Sequence, residues 1–183
     1  ANDHKPSILE APSMFQVARI VSQTLAEVIG ITSPDEQASE STFSATFILG
    51  GQVKGGDMRL YLIYPEGNFI EVSEENPFFQ IGETKYGRPI LVRAFDPEMS
   101  AEAATKLLMV SFDSTIKANL SVGLPLDIHV YEKDSLNPAR KGVVDTNNAY
   151  YRMISGKWAE SLKNSLAALP ELNFETDIST EGD

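Results

Sequence analysis

The chain of 183 residues carries 26 acidic against 15 basic side chains, a net charge of −11, with 42% hydrophobic residues and no cysteine. That length fits one domain with a sizeable core, and the lack of thiols excludes disulfides, thiolate nucleophiles and cysteine metal sites. The acidic balance, with no dense Lys/Arg cluster, argues against nucleic acid as a partner, and no apolar run approaches the roughly 18 residues that span a bilayer.

The first residues, Ala1-Asn2-Asp3-His4-Lys5, are polar with no apolar segment behind them, so no secretory leader is expected. A thiol-free chain of this kind fits the cytoplasm. Residues 1–10 read as a polar leader. A helix is predicted from Ser13 to Ile29: Ser13 and Gln16 stand at capping-box spacing, and Met14, Val17, Val21, Leu25 and Val28 recur at helical spacing. Gly30 marks its stop. Residues 32–42, rich in Ser, Thr, Pro and acid, read as a loop.

Four strands are predicted next: Phe43–Gly50, Arg59–Tyr64, Asn68–Val72 and Phe78–Ile81. Gly50-Gly51 and Gly55-Gly56 bracket the first turn, and Pro65-Glu66-Gly67 makes a tight hairpin turn between the second and third strands. A short helix over Thr84–Ala94 is interrupted in pattern by Gly87 and Pro89. Ser100 is the N-cap of a long helix to Leu120, whose apolar row is Ala104, Leu108, Phe112, Ile116 and Leu120. Leu126–Glu132 is a fifth strand, with Leu126, Ile128 and Val130 facing one way and Asp127, His129 and Tyr131 the other. Residues 133–145 read as a polar loop. A last helix spans Asn147–Leu169, striped by Tyr151, Ile154, Trp158, Leu162 and Leu166, and Pro170 ends it. Residues 171–183 form an acidic tail, with Glu171, Glu175, Asp177, Glu181 and Asp183, expected to be mobile. Grouped strands flanked by helices give an α+β class with a mostly antiparallel sheet in one domain over residues 1–170.

Most familiar chemistry has no motif here: no phosphate loop, dinucleotide fingerprint, metalloprotease helix or nucleophile elbow. Of the two histidines, His4 is expected in solvent. His129, beside Asp127 and Tyr131, fits either a Ser-His-Asp triad or a polar strand face. A metal site is the poorer reading, because catalytic zinc usually takes three protein ligands. Glu74-Glu75, Asp96 with Glu98, and Asp113 could do acid–base work in a shared buried site, or sit at loops and helix starts, where carboxylates are favoured. The residues by themselves leave the function open.

Three stretches narrow it. Ala45-Thr46-Phe47-Ile48-Leu49-Gly50-Gly51, followed by the hairpin from Arg59 to Phe69 through Pro65-Glu66-Gly67, resembles a proteasome hairpin. Phe79-Gln80-Ile81-Gly82-Glu83-Thr84-Lys85-Tyr86-Gly87 stands where proteasome subunits carry an apolar strand and then Gly-Ser-Gly at a helix start. Ser114–Gly123 and the strand Asp127–Tyr131 look like the region where proteasomes place an Asp and a Ser near the nucleophile. The wording of Ala11–Arg19, Gly82–Gly87 and Asn119–Asp127, with the long last helix that extends beyond the related HslV peptidase, is similar to one bacterial branch, the ancestral-beta-subunit or Anbu family. The resemblance covers residues 8–170.

The resemblance implies a four-layer αββα sandwich, the N-terminal-nucleophile hydrolase fold. It implies a threonine peptidase or amide hydrolase whose first-residue Thr attacks an amide carbonyl. The α-amine of that Thr, with a reference pKa of about 7.7–8.0, serves as base. The nucleophile, its Asp and Lys partners and the oxyanion Gly belong to amino-terminal strands expected to lie outside this chain, which then holds a partial domain. By position Asn119 matches the proteasome Asp, Ser121 lies close to its Ser, and Glu83 takes the place of the Ser in Gly-Ser-Gly. These three are the candidate supporting shell, although a helix C-terminal residue and a simple turn explain Asn119 and Ser121 equally. No metal or organic cofactor is expected. The expected partners are further copies of the chain, in a ring or open spiral, and a peptide or amide substrate. Two other readings stay open: a non-catalytic assembly subunit, and an unrelated α+β ligand-binding module.

Overall fold

A computed structural model of the chain describes residues 7–32, 44–137 and 140–178. His4, the loop after Thr32, Phe43 and the acids Glu181 and Asp183 lie outside the described residues.

Helix α1 runs Met14–Thr32. Ser13 caps it: its Oγ accepts the Gln16 N–H at 3.3 Å, satisfying one of the orphan donors of the first turn. The helix passes through Gly30 rather than stopping there. One helical glycine costs about 1 kcal/mol relative to alanine, too little to end a helix anchored by buried Met14, Val17, Ala18 and Leu25.

Strands β1 (Phe47–Gly51), β2 (Arg59–Ile63) and β3 (Phe69–Glu71) form an antiparallel sheet in that order. Phe47 pairs with Ile63 and Tyr61 with Glu71. The hairpin turn forms as the sequence predicts, with the Tyr64 N–H donating to Asn68 O at 2.9 Å. Gly67 takes φ +85, a left-handed conformation that disfavours a side chain, and a Cβ there would lie 3.0 Å from Ala26 Cβ on α1. The hairpin tip therefore seats on the helix. Buried Tyr61 and partly buried Leu49 and Phe69 complete a first core with α1.

Phe78–Ile81 is not a strand. Its apolar residues are used without a ladder: the Phe78 ring meets Phe95 edge-on at 5.7 Å, with the Arg88 guanidinium 5.8 Å from its centre. Helix α2 spans Arg88–Ala94, with Gly87 at its cap and Pro89 in its first turn, where a missing N–H costs nothing.

Helix α3 spans Ala101–Ala118 from an N-cap at Ser100, whose Oγ accepts the Ala103 N–H at 3.1 Å. Its buried face differs from the predicted row. Leu108 and Phe112 are 46% and 43% exposed, whereas Met109, Val110, Ser111, Asp113 and Thr115 are buried. The cause is close approach by α2: a Cβ on Gly87 would overlap Ser111 Oγ and lie 3.0 Å from Thr115 Oγ1. Small polar residues line that contact, so the larger apolar ones face away.

Strand β4 (Leu126–Val130) alternates as predicted. It pairs antiparallel with β5 (Arg140–Val144), Leu126 opposite Val144, inside the stretch that reads as loop. Arg140-Lys141-Gly142 hides that strand from a hydrophobicity reading, because only Val144 of its five residues is buried. Helix α4 spans Ala149–Ala167 from an N-cap at Asn148. Tyr151 and Ile154 of its stripe are buried, but Leu162 and Leu166 are exposed. A four-residue helix, α5 (Phe174–Asp177), follows in the predicted tail. A second core joins Met109, Val110, Val144, Tyr151 and Ile154, with Trp158 packed against it. The two halves clasp through Gln52: its Nε2 donates to Asp134 Oδ1 at 2.6 Å, and its Oε1 accepts the Asp134 N–H at 2.8 Å. The result is a mixed α+β chain with small antiparallel sheets.

Candidate functional site

The three candidate shell residues come from two segments. Glu83 follows Gly82, whose φ of +79 turns the chain sharply before α2. One carboxylate oxygen of Glu83, Oε1, accepts the Lys85 N–H at 3.0 Å, which fixes the side chain against its own turn. Asn119 is the C-cap of α3, in extended conformation, with its N–H on Thr115 O at 2.9 Å. Leaving the helix at that point swings its side chain toward α2.

The structure brings the three together. Asn119 Nδ2 donates to Glu83 Oε2 at 2.8 Å across 36 residues of sequence. Asn119 Oδ1 accepts from both the Ser121 N–H, at 2.9 Å, and the Ser121 hydroxyl, at 2.7 Å. The partners fix the amide orientation, since a carboxylate can only accept and the two Ser121 groups both donate. Glu83 and Asn119 are half-buried and Ser121 is exposed, so the chain of hydrogen bonds ends at the surface. Its chemistry is that of a negative charge held in place by a neutral amide, with a hydroxyl positioned at the far end.

The other candidates are not drawn in. Asp127 and His129 lie on the exposed face of β4. Asp96 accepts the Glu98 N–H at 2.9 Å, a local turn before α3. Asp113 holds α3 to α4 instead. It is 2% exposed, and it accepts from Tyr151 Oη at 3.2 Å and Lys117 Nζ at 2.9 Å. Lys117 Nζ also donates to Ser155 Oγ at 2.7 Å. Burial, then the neighbouring Asp113 charge, then its hydrogen bond push the Tyr151 phenol up to about 12. Sequence reading missed this network because Tyr151 and Asp113 lie 38 residues apart. The i, i+4 spacing of Asp113 and Lys117 was its only local signal. Among the described residues, no group of three or more His, Asp or Glu could hold a metal, and no helix is long and apolar enough to cross a membrane.

No family model and no curated protein matches the chain. Solved structures do. The chain is 40% identical to Anbu from Hyphomicrobium sp. strain MC1, covering 94% of this chain and 70% of that one, with a TM-score of 0.84. The chain belongs to the Anbu family. It is 37% identical to Anbu, the ancestral beta-subunit, from Yersinia bercovieri, with coverage of 94% and 71% and a TM-score of 0.85. It is also 39% identical to Anbu from Pseudomonas aeruginosa, solved as a helical assembly of the Anbu complex, with coverage of 96% and 72% and a TM-score of 0.87. In each case the Anbu relative extends beyond the matched region.

Proposed function

We propose that this Anbu chain is the larger part of a self-assembling, proteasome-type threonine peptidase or amide hydrolase. Glu83, Asn119 and Ser121 form the supporting shell, and the nucleophile lies outside the 183 residues. The observation that carries the reading is the hydrogen bond from Asn119 to Glu83, which joins the two segments that resemble the shell of a proteasome site. The exchange of residue types is self-consistent. Where the resembled pattern has a Ser and an Asp, this chain has Glu83 and Asn119, with Asn119 the donor and Glu83 the acceptor. The negative charge then lies on the other segment. A shell of the same net charge then faces the proposed α-amine base, whose proton affinity depends on nearby charge.

The proposed fold is the αββα sandwich. In support, α1 packs on the β1–β3 sheet, and α3 and α4 share a core with β4 and β5. This gives two helix–sheet pairs of the kind the sandwich stacks. The proposed setting is cytoplasmic, with no nucleic-acid or membrane partner and no metal or organic cofactor. The proposed assembly is a ring or open spiral of like subunits, and the helical assembly of the Pseudomonas aeruginosa relative supports it.

One feature favours a second reading, a non-catalytic assembly subunit: Ser121, the hydroxyl of the shell, is exposed rather than enclosed. The complete protein decides between them. With fluorogenic peptide amides, the enzyme reading expects turnover that survives a chelator, is lost when the amino-terminal Thr is replaced, and falls on the order of 10²-fold in kcat for Asn119→Ala. An intact assembly without turnover on any peptide or amide probe would favour the second reading.

A further inference from the structure

Helices α2, α3 and α4 line a groove of about 450 Å³ that opens onto the second core. Ile90 and Ala94 from α2, Leu107 and Val110 from α3, and Met153 and Trp158 from α4 make it apolar. Two cations, Lys106 and Lys157, also line it, and neither has an ion-pair partner among the described residues. Trp158 Nε1 is buried without a hydrogen-bond partner among the described residues. Buried indole N–H groups ordinarily have one. The groove therefore offers apolar surface and positive charge, a combination suited to an acidic segment with large apolar side chains.

The chain carries such a segment at its far end. Residues 170–183 hold five acidic side chains and no Lys or Arg. Leu172, Phe174 and Ile178 are 58%, 70% and 41% exposed. The segment is also pre-shaped. Asp177 Oδ2 accepts the Asn173 N–H at 2.9 Å and its Oδ1 accepts the Thr176 hydroxyl at 2.9 Å, closing the turn of α5. That turn begins at Phe174, and Ile178 follows it directly. Ordering already present in the free state lowers the cost of docking.

We infer that the acidic carboxy-terminal segment Leu172–Ile178 of one copy docks into the α2–α3–α4 groove of a second copy, with Phe174 as its apolar anchor and Lys106 and Lys157 meeting its carboxylates. The inference rests on the proposed self-association and names the contact that makes it. Among the described residues none beyond Ser161 lines the groove, and α4 carries the chain on to Ala167 before the tail begins. Charge makes a like partner specific here. Two copies at −11 each repel overall, so association needs one place where acid meets base. A segment and a groove are different surfaces, so the contact is heterologous; it closes into a ring or propagates as an open spiral according to the rotation between neighbours.

Trp158 is the only tryptophan, so intrinsic fluorescence reads the groove directly. The test compares the full-length protein with a version lacking residues 171–183 and with the full-length double variant Phe174→Asp/Ile178→Asp, whose altered residues are exposed. Both variants are expected to keep the wild-type far-ultraviolet circular dichroism, to lose mass by light scattering at micromolar concentration, and to shift Trp158 emission to the red. A synthetic peptide of residues 170–183, added to the truncated protein, is expected to restore the blue emission. Lys157→Glu should weaken that peptide about three- to fivefold, and added salt should weaken it further. Wild-type protein that assembles while both variants assemble equally would overturn the groove contact but leave self-association standing. Wild-type protein that stays monomeric would instead sink the self-association reading. A peptide that leaves the emission unchanged, or a tail-dependent emission change independent of protein concentration, would overturn docking between copies.

Discussion

Replacing Asp113 tests the network that ties α3 to α4. The carboxylate is 2% exposed and accepts from Tyr151 Oη at 3.2 Å and Lys117 Nζ at 2.9 Å. A hydrogen bond to a buried charged group contributes about 1.5–3 kcal/mol, while the ion pair to Lys117, half exposed at its own end, adds only about 0.3–0.5 kcal/mol. Asp113→Ala is thus expected to destabilise by about 2–3 kcal/mol, lowering Tm by roughly 5–10 °C in a chain of this size. Tyr151→Phe leaves Asp113 buried with one donor fewer, a loss of about 1–2 kcal/mol. The pair should couple by about 1–2 kcal/mol in a double-mutant cycle read by urea unfolding through Trp158, which packs on the same core. The pH dependence supplies an independent check. The folded-state phenol is pushed up to about 12 from its ordinary 10.0, so folding favours the protonated form. Its contribution is fully present below pH 10 and is lost as pH rises toward 12, at about 1.4 kcal/mol for each pH step of one across that window. Tyr151→Phe should flatten that alkaline limb. Additive single mutants with an unchanged limb would refute the network as drawn.

Gly87→Ala is expected to cost about 1–3 kcal/mol in thermal melts, because the new methyl overlaps Ser111 Oγ at the α2–α3 contact. Ser100→Ala should cost about 1 kcal/mol through the lost cap on Ala103 N–H, with the helical circular dichroism of the native state unchanged. Asn119→Asp places two carboxylates within hydrogen-bonding distance, and like charges so close cannot both ionise. Its stability deficit at pH 7, about 1–3 kcal/mol, should shrink as the pH falls toward 4 and a proton is shared. Adding Glu83→Gln should remove most of it, as followed by denaturant titration.

The helices and the first hairpin were legible because their signals are local. Ser13 and Ser100 sit at helix starts, and Pro65-Glu66-Gly67 can only turn. What was not legible depends on neighbours. The i+4 row through Leu108 and Phe112 is the more hydrophobic face of α3, yet a glycine on another helix draws Ser111 and Thr115 inward instead. Strand β5 exists because β4 offers it a ladder, and Arg140-Lys141-Gly142 carries no alternation to announce it. Phe78–Ile81 has strand composition but forms no strand. Glu83, Asn119 and Ser121 could be singled out only by resemblance, since nothing in local spacing joins residues 36 apart.

The two cores share no side chain: one is drawn from residues between Ala11 and Phe69, the other from residues between Ile90 and Trp158. Cooperativity then has to cross from one to the other through narrow means, the Gln52–Asp134 clasp among them. Each core can open on its own free-energy scale, and amide protons in α1 and β2 can exchange on a different schedule from those in α3 and α4. Such a molecule can loosen one half while the other holds its shape.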